Sequence, residues 1–159
     1  MKRKKDLRRA QAGFSLIELL IVVAIIAILL MVAVPRAIES FKTGRESAAM
    51  QTLGTIHKAQ VLYHTRKQRF GTLRELNEEK LIDSNFANGA PVGGYVFTSA
   101  AEVTQDKYCV QATRQAPSTA WKDFSVTEDG TIRFVESNTP TPIPHGEGAP
   151  LASAGTGAQ

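Results

Sequence analysis

The chain of 159 residues is the size of one domain, but its aliphatic residues crowd into positions 19–34, so the part from Arg36 onward can build only a small core. The formal charge of +4 does not argue for nucleic acid, because it is local. Lys2, Arg3, Lys4, Lys5, Arg8 and Arg9 against Asp6 give +5 within residues 1–13, which leaves 13 basic and 14 acidic side chains, a net −1, for the rest. Cys109 is the sole cysteine, which excludes a disulfide within the chain, and it reads as a small buried strand residue.

Residues 19–34 carry no polar side chain, and from Phe14 to Val34 only Ser15 and Glu18 interrupt 21 residues, about 30 Å of helix. That length crosses a bilayer. The basic residues ahead of it would stay in the cytoplasm, which places the long C-terminal part outside. A secretory signal, a permanent anchor and a cleaved leader followed by a retained helix all fit the hydropathy. Glu18 separates them, because a carboxylate within an apolar span costs about 2.5–3.5 kcal/mol on insertion scales and serves neither a signal nor an anchor.

The stretch Gly13-Phe14-Ser15-Leu16-Ile17-Glu18-Leu19-Leu20-Ile21-Val22 after a basic leader resembles the processing and methylation motif of type IV prepilins and type II secretion pseudopilins. The resemblance implies that a prepilin peptidase cuts between Gly13 and Phe14 and N-methylates Phe14. A residue without Cβ at Gly13 suits close approach of a protease to the backbone. Cleavage would give Glu18 a partner: an amine at ~4 Å and an effective dielectric of ~20 is worth roughly 4 kcal/mol before desolvation, similar in size to the insertion cost. The family implies that this amine belongs to a neighbouring subunit, making Glu18 a register device. A contact to the chain's own amine, or to the positive end of the helix dipole, is the local alternative.

After Pro35 the helical pattern resumes through Ile38, Phe41, Ala49, Leu53, Ile56 and Tyr63, so Pro35 predicts a kink rather than a stop. A helix from Phe14 to about Arg66 would be some 80 Å long, and its first half needs lipid or copies of itself around it. Residues 71–83 read as a short amphipathic helix. The period then becomes two in Tyr95-Val96-Phe97, Tyr108-Cys109-Val110, Phe124-Ser125-Val126 and Ile132-Arg133-Phe134-Val135, with a hairpin signal at Glu128-Asp129-Gly130. Three or four antiparallel strands are expected, resting on Leu53, Ile56 and Tyr63. The predicted fold class is therefore α+β and pilin-like: a long kinked N-terminal helix whose second half packs on a small antiparallel sheet. The segments are a leader (1–13), a transmembrane and filament-core helix (14–35), an amphipathic stem (36–66), a globular head (67–136) and a tail rich in Pro, Thr, Gly and Ser (137–159) expected to be disordered. Thr139, Thr141 and Ser153 in that tail are candidates for glycosylation on composition alone.

No phosphate-cradling glycine loop, nucleophile elbow or carboxylate pair stands out, so no catalytic residue and no cofactor is assigned and the chain is not read as an enzyme. His57 and His64 are about 10 Å apart along a helix, too far for one metal. Asp123, Glu128 and Asp129 supply too few oxygens at usable spacing for calcium, and no metal site is assigned. Arg66, Lys67, Arg69 and Arg74 beside Tyr63 and Phe70 are the one feature favouring a nucleic-acid or adhesive contact, against a solvated junction as the simpler reading. The function expected from the resemblance is a structural subunit of a surface pilus for attachment or motility. It would be an inner-membrane single-pass protein before assembly on a membrane platform and a homo-oligomeric helical filament after it. The alternatives are a pseudopilin of type II secretion, a DNA-binding or adhesive minor pilin, and a non-assembling membrane-anchored binding module.

Overall fold

The computed structural model describes residues 14–100 and 103–151. The elements are α1 (Leu16–Lys67), α2 (Leu73–Glu78), α3 (Ser84–Ala87), β1 (Tyr95–Ser99), β2 (Cys109–Arg114), β3 (Lys122–Thr127), β4 (Ile132–Glu136) and β5 (Ala149–Pro150). They fall into two compact units that divide between Glu39 and Ser40. In the first, every described side chain from Phe14 to Glu39 is exposed. Pro35 lies inside α1, where it has no N–H to offer the Met31 carbonyl, and the helix continues past it.

In the second unit one stripe of α1 is buried: Glu46, Ala49, Leu53, Ile56, Gln60 and Tyr63, at alternating steps of three and four. It meets an antiparallel meander in the order β1-β2-β3-β4-β5. Tyr95 and Phe97 of β1, Val110 and Ala112 of β2, and Phe124 and Val126 of β3 join Ala49, Leu53 and Ile56 in one core cluster. The register sets Phe97 opposite Ala112, and Ala112 opposite Phe124. A large ring therefore alternates with a methyl across the sheet, which lets the strands sit close to the helix. A smaller cluster of Ala59, Tyr63 and Leu76 joins α1 to α2. Gly71 belongs to that joint: a Cβ there would meet Leu76 Cδ1 and Tyr63 Cε1, both at 2.9 Å, and its backbone pairs with the buried Gln60 amide at 2.5 and 3.0 Å.

The helix expected over 71–83 is shorter, and α3 follows it. Thr72 and Glu75 form a reciprocal cap at the start of α2. Its end is a Schellman turn, with Lys80 N–H donating to the Asn77 carbonyl and Leu81 N–H to that of Leu76, and Lys80 at φ +58°. The hairpin at 128–130 is present, closed by Gly130 N–H on the Thr127 carbonyl with Gly130 at φ +72°. Cys109 is buried in β2, free of any disulfide.

The tail is the main departure from expectation. Residues 137–151, expected to be disordered, run along the sheet with Ile143 buried, and their last residues form β5 on β4. Composition alone could not reveal the polar anchors that hold them. Ser153 lies outside the described residues, whereas Thr139 is exposed and Thr141 half-buried.

Candidate functional site

The first turn of α1 is built by its own sequence. Ser15 stands at the N-cap and Glu18 three residues on, and Glu18 Oε2 accepts the Ser15 backbone N–H at 2.9 Å while the Ser15 carbonyl takes Leu19 N–H at 3.2 Å. This is the back-reaching half of a capping box, in which the carboxylate at the third helical position satisfies a donor the helix cannot. The spacing Ser15-Leu16-Ile17-Glu18 carries that signal, which the reading by hydropathy and motif passed over. In the uncut chain Glu18 thus accepts the Ser15 amide at the positive end of the helix.

Phe14 is 86% exposed just ahead of the cap, and Gly13 lies outside the described residues. Beyond Glu18 the helix shows apolar side chains on all sides, from Leu19 and Leu20 through Ile25, Ile26 and Leu29 to Val34. It is long and apolar enough to cross a membrane by length and composition, with none of its most apolar window buried.

Residues 8–34 match the family described as the prokaryotic N-terminal methylation motif. The chain is type IV pilin-like. Similarity to the type IV major pilin protein PilA of Myxococcus xanthus (strain DK1622) agrees, at 41% identity over 58 residues, 36% of this chain. The matched region spans about a quarter (26%) of that relative's length. In this pilin-like chain the long apolar helix and the small antiparallel sheet of five strands complete the α+β arrangement.

Other charged groups of the pilin-like chain are engaged locally. In the basic cluster Lys67 pairs with Glu79 at 2.8 Å and Arg69 with Glu75 at 2.5 Å. Hydrogen bonding from Arg69, then from Thr72, holds the Glu75 carboxyl down at about 2. Glu75 of α2 and its C-cap Glu79 thus answer two of the four cations set out as a polyanion contact. Of the calcium candidates, Asp123 accepts from Arg114 and Thr141, Glu128 meets His145, and Asp129 meets Arg133. Burial works against the charge of Asp129, but its bonds to Arg133, Thr127 and Thr131 outweigh it and lower its pKa. Among the described residues no three His, Cys, Asp or Glu side chains are grouped to hold a metal. His57 meets the Tyr108 hydroxyl through Nδ1 at 2.5 Å, and burial lowers its pKa.

Proposed function

We propose that the chain is a filament subunit, cut between Gly13 and Phe14 by a prepilin peptidase and N-methylated at Phe14. It is stored in the inner membrane through residues 14–35 and assembled on a membrane platform into a homo-oligomeric surface pilus for attachment or motility. The observation that carries this reading is an all-round apolar helix with a single carboxylate in its first turn, lying within the residues that match a methylation motif. Such a helix needs lipid before assembly and other copies after it. Pro35 would let the helix bend or extend as it passes from one setting to the other.

Glu18 has a place in both settings. A carboxylate accepts several donors, so capping Ser15 in its own chain leaves capacity for the methylated amine of a neighbour. The contact would fix register between subunits more than it would add stability. A pseudopilin is the second reading, favoured by a sheet that closes without a disulfide. Two variants test the proposal in cells. Gly13→Val is expected to leave only uncut chain in membranes. Glu18→Gln keeps an oxygen to cap Ser15 but loses the charge, so it is expected to be cut and then to stay out of sheared fibres. Fibres from Glu18→Gln at the normal level would remove the register role.

A further inference from the structure

The stretch 137–151 is held to the sheet by two unequal attachments. The inner one is buried. Arg114 and Asp123 form an ion pair (Nε to Oδ2, 3.5 Å) with both side chains 1% exposed. Arg114 Nη2 donates to the Ser137 carbonyl at 2.6 Å, the Ser137 hydroxyl at 2.9 Å and the Thr139 carbonyl at 2.7 Å, while Thr141 N–H donates to Asp123 Oδ2 at 2.9 Å. Removing one partner of such a pair strands a buried charge, so this end opens only with the sheet.

The outer attachment is slight. It includes His145 Nε2 on Glu128 Oε2 at 2.8 Å, both partly exposed, a strand of two residues, and Leu151, whose N–H donates to the Ile132 carbonyl at 2.9 Å and whose side chain packs, partly buried, against the core. Between the two, Ile143 fills the outer face of the sheet. Its carbonyl accepts Gln111 Nε2 at 2.7 Å and lies 3.9 Å from Cys109 Sγ. Exposed ion pairs and short edge pairings open at far lower cost than a buried network.

We propose that residues 137–151 are a hinged cover, with the hinge at 137–141 and a leaf at 142–151 that opens independently of the sheet and governs access to its outer face and to the β4 edge. With the leaf shut, β4 is capped by Pro150, which cannot extend the ladder, and Cys109 is sealed beneath Ile143. With the leaf open, the thiol can exchange with a small disulfide: the thiolate forms a mixed disulfide and releases one thiolate of the reagent. Burial pushes the Cys109 thiol up to about 11, which slows the same exchange while the leaf is shut.

The test uses the full chain in detergent micelles and an aromatic disulfide, with the released aromatic thiolate read as the rate of Cys109 labelling. Gly148→Val places a β-branched residue at φ +92° with its Cβ 3.0 Å from the Phe134 carbonyl, which disfavours the shut leaf. It is expected to label about tenfold faster or more, with its global urea midpoint unchanged. His145→Ala is expected to shift in the same direction by less. Arg114→Met is expected to lower the global midpoint instead. Labelling of Gly148→Val and His145→Ala at the wild-type rate, or loss of global stability in the leaf variants equal to that in Arg114→Met, would overturn the proposal. So would a wild-type rate equal to that of the chain in denaturant.

Discussion

Both units of the chain are built on α1, yet they solve opposite problems. From Phe14 to Glu39 every side chain is exposed, and apolar ones circle the helix; from Ser40 on, a single stripe from Glu46 to Tyr63 is buried and the remaining faces are largely polar. One stripe is what a small sheet can cover. A helix apolar all round cannot be covered by a chain of this size and must find its cover outside. The difference also separates two kinds of charge: the buried Arg114 and Asp123 satisfy each other within the fold, whereas the exposed Glu18 accepts the Ser15 amide.

That contrast can be broken from either side. The largest effect is expected from Arg114→Met, which strands Asp123 and should cost about 3–5 kcal/mol in urea unfolding while leaving membrane partition of the chain unchanged. Next is Ile25→Lys, expected to weaken insertion by about 2.5–3.5 kcal/mol, read as loss from the membrane fraction on flotation, with the urea midpoint of the sheet unit unmoved. Thr72→Ala removes the cap of α2 and should cost about 1 kcal/mol, again in the second unit alone.

The smallest effect concerns acid. Glu75 is held at about 2 in the fold against 4.5 in the unfolded chain, so its contribution is full above pH 4.5 and is lost as pH falls toward 2. Glu75→Gln is expected to flatten that part of the stability curve, measured as the difference in urea midpoint between pH 5 and pH 3.

The first unit was legible because its signal is one-dimensional: an unbroken apolar run, one carboxylate and a motif. The strands β1–β4 were legible from the change of period at Tyr95, and the packing of Leu53, Ile56 and Tyr63 from their spacing. The end of α1, expected at about Arg66, falls at Lys67, but the end of α2 was not legible: Lys80 takes positive φ after α2, where a sequence signals a stop through Gly, and it announces none. The order of residues 137–151 was hidden for a different reason. It comes from Arg114 and Asp123, two residues of the sheet whose partners in that stretch lie 18 or more positions further along the chain, and the stretch's own Pro-rich composition points the other way. Glu46 was missed likewise: it interrupts the apolar stripe because its carboxylate accepts the backbone N–H of Trp121 at 2.8 Å.

The central claim is that the first unit is a processed assembly element. Mass spectrometry of the N-terminal peptide, taken from sheared surface filaments and from the membrane fraction of the same cells, tests it most directly. N-methylated Phe14 in the sheared fraction is the predicted result, and processed chain confined to membranes would move the reading to a pseudopilus. A peptide that still begins at Met1 in both fractions would contradict the account.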